Sequence, residues 1–253
     1  MLKKSLGQNF LIDPNIARKV INTIEFNNKV NLIEIGPGKG FLTDYLIKQK
    51  INKITLIEKD KNLFLELKKK YNKNKKIIIH NQDALKTTLI NKINKPKIIV
   101  SNLPYNISVK LIVGFLDNIE DFEGLYFMIQ KEVANKFKYN NTSKYNRLNL
   151  LCQLTSDYKI HFNISPNVFI PKPKIESSFV SFKKNVKVKI NMKSFKNFSS
   201  NIFSSKRKIL INNLIKNNQY KKIIDNNKLN IDLRKRTEDL KFDEIIKLYK
   251  ILH

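Results

Sequence analysis

"VNLIEIGPGKG" (residues 30–40) joins an apolar run, a carboxylate and three glycines at alternate positions. The run "VNLIEIG" (30–36) is apolar without the strict alternation of a half-exposed strand, which marks a strand buried on both faces. Gly36, Gly38 and Gly40 allow the backbone to turn sharply and to approach a ligand closely. A helical stretch, "FLTDYLIKQ", follows at once. Strand, glycine turn and helix in this order open an α/β domain whose sheet is parallel and covered on both faces.

The same alternation runs outward from this stretch. Asp13-Pro14 reads as an N-cap and first helical position, with Ile16, Ala17, Val20, Ile21 and Ile24 on one helical face. Further strands are predicted at 53–59, 76–83, 97–103 and 124–130, with helical stretches between them. Residues 158–164 and 177–184 come late and close together, which predicts an antiparallel pair at the sheet edge. Beyond about residue 190 the periodicity is helical only. We therefore expect two domains, residues 1–186 and a small all-helical domain, 187–253.

Acidic residues stand where successive strands end. Glu58 in "LIEKD" lies twenty residues past Gly38, where a carboxylate can accept both hydroxyls of a ribose. Asp83 in "NQDA" ends the next strand and can accept an adenine amino group. Glycine turn, ribose acceptor and base acceptor in register point to a nucleoside cofactor. The turn is spaced E-x-G-x-G-x-G, unlike the G-x-G-x-x-G of dinucleotide enzymes. It resembles the first motif of S-adenosylmethionine-dependent methyltransferases, whose cofactor has no pyrophosphate to place on a helix N-terminus.

A further strand gives out at "SNLPYNIS" (101–108), a cluster of amides, a proline and a tyrosine. Asn102-Leu103-Pro104-Tyr105 resembles the [N/D]-P-P-[Y/F] motif of enzymes that methylate amino groups of nucleic-acid bases. The chemistry suits these residue types. The N6 lone pair of adenine is delocalised into the ring, so the amine is a poor nucleophile. The Asn102 amide oxygen and the Leu103 carbonyl can accept its two N–H groups and stabilise positive charge as a methyl arrives. Pro104 stiffens the chain, and Tyr105 offers a face for stacking.

Composition sets the outer limits. The chain has 253 residues, 42% of them hydrophobic, enough for one good core and a smaller appendage. No apolar stretch reaches the roughly 18–20 residues that span a bilayer, and "MLKKSLGQNF" lacks the apolar centre of a signal peptide. Cys152 is alone and the three histidines are scattered, so neither a disulfide framework nor a metal site is expected. A cytoplasmic protein is expected. The formal net charge of +28 points to a polyanion. Lysine accounts for 44 of the 49 basic residues, which fits an A/T-rich genome, so distribution matters more than the total. Residues 184–253 carry 18 basic and 6 acidic groups, about twice the net positive charge per residue of the preceding part. From Ser177 to Ile224 there is no acid at all, and Lys206, Arg207 and Lys208 stand together at the start of a helical pattern. They are the predicted RNA contacts.

Six segments then fall in a telling order: "KKSLGQNFLID" (3–13), "EIGPGKGFLT" (34–43), "QDA" (82–84), "NLPYNIS" (102–108), "QKEVANKF" (130–137) and "FIPKPKIESS" (169–178). In this the chain resembles the ribosomal RNA adenine dimethyltransferases, and "SSKRKILINNL" (204–214) leans towards their small-subunit branch. Asn146 stands where that branch usually has glycine. The resemblance implies an S-adenosylmethionine cofactor held by Gln8, Asn9, Leu11, Gly36, Gly38, Glu58, Asp83, Ala84 and Asn102. It implies catalysis at Asn102–Tyr105, with Phe169 stacking on an extruded adenine opposite Tyr105. The expected substrate is small-subunit rRNA in the immature subunit, dimethylated by a monomer. Two rivals share the motifs: a large-subunit dimethyltransferase conferring macrolide resistance, and a non-enzymatic assembly or transcription factor on the same fold.

Overall fold

The computed structural model describes residues 9–139, 144–226 and 230–253. Its centre is a seven-stranded sheet. The strands are β2 (Asn31–Ile35), β3 (Lys53–Glu58), β4 (Ile77–Asn81), β5 (Lys97–Asn102), β6 (Gly124–Gln130), β7 (Ser156–Ile164) and β9 (Ser177–Lys184). Two short strands, β1 (Phe10–Leu11) and β8 (Phe169–Ile170), pair antiparallel with each other, Leu11 opposite Phe169. The sheet order is β4-β3-β2-β5-β6-β9-β7.

Strands β2 to β6 are parallel, and β9 runs antiparallel between β6 and β7. This is the doubly wound α/β sheet with a late antiparallel pair that the apolar runs predict. Leu32, Ile33, Ile54, Leu56, Ile99 and Val100 are wholly buried, because helices cover both faces. The chain moves outward from β2 to β3 and β4, then crosses back to β5 on the other side of β2. At such a switch point the loops leaving β2 and β5 diverge and open a crevice at the carboxyl ends of the strands. The glycine turn, Glu58, Asp83 and Asn102–Tyr105 all lie at this edge.

The helix Pro14–Thr23 starts as expected: the Asp13 side chain accepts from the N–H groups of Asn15 and Ile16, and Pro14 takes the first position. Asp60 caps the helix Lys61–Lys70 in the same way. Asn146 also proves to be a cap. Its side-chain oxygen accepts from Leu148 N and Asn149 N, 2.8 and 3.1 Å away, at the head of the helix Arg147–Thr155. No non-glycine residue among those described has positive φ, so the position needs no glycine here.

The chain forms two compact units, one up to Asn135 plus Thr155–Asn185, the other Lys136–Leu154 plus Val186–His253. The second is helical and has its own core, in which Leu150, Leu154, Phe198, Leu210 and Leu248 are buried. A division at residue 186 places Lys136–Leu154 in the first domain, whereas this segment belongs to the second unit. Its helix is apolar on the buried face, but periodicity does not say which core that face meets.

Candidate active site

Four parallel strands deliver their ends to one cavity of about 280 Å³ within the first unit. From β2 comes the glycine turn, with φ of 62° at Gly36, 60° at Gly38 and 77° at Gly40, a region that favours glycine. Two of these positions are also crowded. A Cβ on Gly38 would lie 2.6 Å from the Phe10 ring, and one on Gly40 would strike the Tyr71 hydroxyl. The N-terminal strand thus sits directly on the glycine turn, and Asn9, Phe10, Leu11 and Ile12 wall the cavity.

From β3 comes Glu58, 5% exposed. Its Oε2 accepts from Gly38 N at 3.2 Å and its Oε1 from Asp60 N at 2.8 Å. Each carboxylate oxygen can accept more than one donor, so the pair remains competent to receive two hydroxyls. Burial pushes this carboxyl above its usual range, against the two backbone N–H groups that favour its charge. From β4 come Gln82, Asp83 and Ala84. Asp83 accepts from Leu85 N at 3.0 Å and pairs with Lys59 Nζ at 3.0 Å, and both contacts hold its carboxyl below the usual range.

From β5 comes Asn102, whose Nδ2 donates to the Asn9 carbonyl at 2.7 Å. Leu103, Pro104 and Tyr105 line the same cavity. The Tyr105 hydroxyl lies 2.6 Å from Ser177 Oγ on β9, and burial pushes the phenol above its usual range. The motif is therefore fastened on both sides, to the N-terminal strand through Asn102 and to β9 through Tyr105.

Comparison with known proteins now bears on this arrangement. The family model for ribosomal RNA adenine dimethylase matches residues 1–253. The chain belongs to that family. The ribosomal RNA small subunit methyltransferase A of Mesomycoplasma hyopneumoniae is 41% identical over 84% of this chain and 81% of its own length. That of Pelagibacter ubique is 36% identical over 98% and 95%. A dimethyladenosine transferase from Plasmodium falciparum superposes with a TM-score of 0.76 at 25% identity, over 94% of this chain and 95% of its own. The 23S rRNA methyltransferase ErmE has the same fold, with a TM-score of 0.69 at 19% identity over 96% and 99%.

As an rRNA adenine dimethylase the chain uses S-adenosylmethionine, and the donor set fits that molecule. A glycine turn, a carboxylate with free acceptor capacity at the neighbouring strand end, and a cavity walled mainly by apolar side chains match a nucleoside with an amino-acid tail. Among the described residues no three His, Cys, Asp or Glu side chains lie together as metal ligands would. Among them also, no helix is long and apolar enough to cross a membrane.

Not every expected site residue falls on the cavity wall. Gln8 lies outside the described residues. Phe169 does not face the cavity: it is 1% exposed and packed in the core with Leu11, Ile164 and Phe179. Pairing of β8 with β1 turns this ring inward, so as placed it presents no face to the cavity. Lys206, Arg207 and Lys208 are all exposed as expected, but they occupy a turn and the helix begins only at Leu210.

The dimethylase also contains residues that the sequence reading passed over. Leu210 N donates to Lys235 O and Ile211 N to Leu233 O, with Ile209 bridging Arg236. This brings exposed Arg234 and Arg236 beside the 206–208 turn. Three of the five arginines in this lysine-dominated chain are thus exposed on two segments of the second unit whose backbones pair next to one another. Glu34 is the other omission, although it heads the glycine motif. It is 2% exposed, lines the cavity and accepts from the Thr43 hydroxyl at 2.6 Å. Desolvation outweighs that hydrogen bond and the nearby Lys70, and its carboxyl is pushed up to about 8, with Asp44 and Glu58 adding to the rise.

Between the ordinary value of 4.5 and about 8 the folded chain therefore holds a proton that the unfolded chain has lost. Stability falls as pH rises through that window. Glu34→Gln removes the titration while leaving an acceptor for Thr43. Its melting temperature is expected to decline less than that of the wild type across the window. Parallel melting curves against pH would exclude Glu34 as the source.

Proposed function

We propose that this dimethylase converts two adjacent adenosines in the 3′-terminal hairpin loop of small-subunit rRNA to N6,N6-dimethyladenosine, as a monomer acting on the immature subunit in the cytoplasm. Bound in the cavity, S-adenosylmethionine supplies a methyl group made electrophilic by its sulfonium. Glu58 receives the ribose hydroxyls, Asp83 and Ala84 border the adenine, and Asn9, Leu11, Gly36 and Gly38 enclose the rest. Asn102 Oδ1 and the Leu103 carbonyl accept the N–H groups of the target amine, so that positive charge developing on N6 meets preorganised acceptors. The proton left on the methylated nitrogen passes to water, and no side-chain base is required. Tyr105, half-buried and neutral, stacks on the extruded base.

The Asn102 amide carries this reading. Its Nδ2 is committed to the Asn9 carbonyl at 2.7 Å, which leaves Oδ1, an acceptor, as its remaining polar atom. An acceptor is what an adenine amino group needs. The RNA surface comprises Lys206, Arg207 and Lys208, and we add Arg234 and Arg236. In a chain that uses lysine almost throughout, three exposed arginines on neighbouring segments mark positions where a planar, bidentate cation serves better than a point charge.

The test incubates the purified chain and S-adenosylmethionine with small and large subunits from cells lacking these modifications, and maps methylated adenosines by mass spectrometry. Two adjacent dimethyladenosines near the 3′ end of the small-subunit rRNA are expected. Methylation of large-subunit rRNA would favour the macrolide-resistance reading, and subunit binding without methyl transfer would favour an assembly factor.

A further inference from the structure

Asp44, Lys70 and Tyr71 form a connected polar group beside the cavity, and none of them lines it. Tyr71, 8% exposed, follows the helix Lys61–Lys70. Its hydroxyl lies 2.9 Å from Gly40 O and 2.8 Å from Asp44 Oδ1. Lys70 Nζ reaches Lys39 O at 3.2 Å, Gly40 O at 3.3 Å and Asp44 Oδ2 at 2.6 Å. Gly40 O also accepts Asp44 N at 3.1 Å. One carbonyl of the glycine turn thus has three donors around it, two of them from side chains thirty or more residues away.

The same stretch of chain holds the turn at its other end. Glu58 Oε2 accepts from Gly38 N, and Glu58 leads through Asp60 into the helix that ends at Lys70. Residues 58–71 therefore grip the turn by one N–H and by two carbonyls. We propose that Tyr71 and Lys70 are positioning residues that hold the glycine turn at a set distance from Glu58, and so preform the part of the site that takes the cofactor's ribose and amino-acid ends. The proposal rests on the S-adenosylmethionine reading of the cavity.

The physical need is plain. Three glycines at positive φ within five residues have more alternatives open to them than any other sequence. A turn left unbraced must be ordered each time the cofactor binds, and that cost subtracts from affinity. It does not touch the methyl-transfer step once the site is filled. Burial and the Asp44 carboxylate both drive the Tyr71 phenol well above its usual range, so it remains a donor throughout the range of assay.

Tyr71→Phe keeps the ring and removes the donor. It is expected to raise the dissociation constant for S-adenosylmethionine, measured by calorimetry, about fivefold. Lys70→Met is expected to act in the same direction. KM for the cofactor should rise with it, while kcat at saturation and KM for RNA stay at wild-type values. Hydrogen exchange at Gly38–Gly40 in the ligand-free variant should quicken, which reads the brace without any cofactor. Unchanged affinity and exchange with only a lower melting temperature would reduce Tyr71 to a packing residue and overturn the proposal, as would a loss confined to kcat. Failure of the wild-type chain to bind S-adenosylmethionine would instead overturn the cofactor reading, and the exchange measurement would still decide the brace.

Discussion

Asn102→Ala is expected to lower turnover by about 100-fold or more while RNA affinity stays within a small factor of wild type. The amide has two tasks, and this substitution removes both. Its Nδ2 ties the loop after β5 to the Asn9 carbonyl, and its Oδ1 is left for the substrate. The acceptor matters most as N6 gains positive charge, so its loss falls on the transition state and not on the bound RNA. The loop itself keeps its other attachments, Leu103 N to Met128 O at 3.1 Å and Tyr105 to Ser177. Single-turnover rates set beside filter-binding affinities for the same RNA would decide the matter. Equal losses in rate and affinity would make Asn102 an RNA contact instead.

Replacing Lys206, Arg207 and Lys208 by Ser is expected to weaken RNA binding about tenfold or more at low salt, and to flatten the logarithmic salt dependence by about two to three units. None of the three has an ion-pair partner within the described residues, so no ion pair among them is lost with the charge. Adding Arg234→Ser and Arg236→Ser should take a further one to two units from the slope, roughly one per phosphate. Changing the three arginines to lysine separates charge from geometry. The slope should then persist while affinity drops, because a guanidinium fork is exchanged for a point charge. S-adenosylmethionine binding should not change in any of these variants, since its cavity is lined by the first unit alone. A full salt slope in the Ser variants would place the RNA elsewhere.

How much of this was legible beforehand follows from the range of the interactions concerned. The strands from 31 to 102 were readable because their apolar runs are short, unbroken and separated by helical periods, a local property of the chain. The glycine turn was readable for the same reason: positive φ at Gly36, Gly38 and Gly40 is a demand made residue by residue. Glu58 and Asp83 could be placed because parallel strands of similar length bring their ends to one edge. The burial of Phe169 was not readable because its surroundings are set by a pairing with Leu11 across most of the chain, between strands only two residues long. No periodicity can be read from so short a strand.

The sequence by itself determined the α/β order, the glycine turn with its two carboxylates, the Asn-Leu-Pro-Tyr loop and an excess of positive charge towards the C-terminal end. Each of these depends on neighbours in the chain or on composition. Only the tertiary structure decided which nitrogen and oxygen of Asn102 point to which partner, that Glu34 lies desolvated beneath the turn, and that Phe169 faces inward. It alone joined Lys136–Leu154 to the second unit and paired the segment that carries Arg234 and Arg236 with the one that follows Arg207. Those outcomes depend on burial and on hydrogen bonds between residues far apart in sequence, where desolvation and packing, absent from any local pattern, choose the partner.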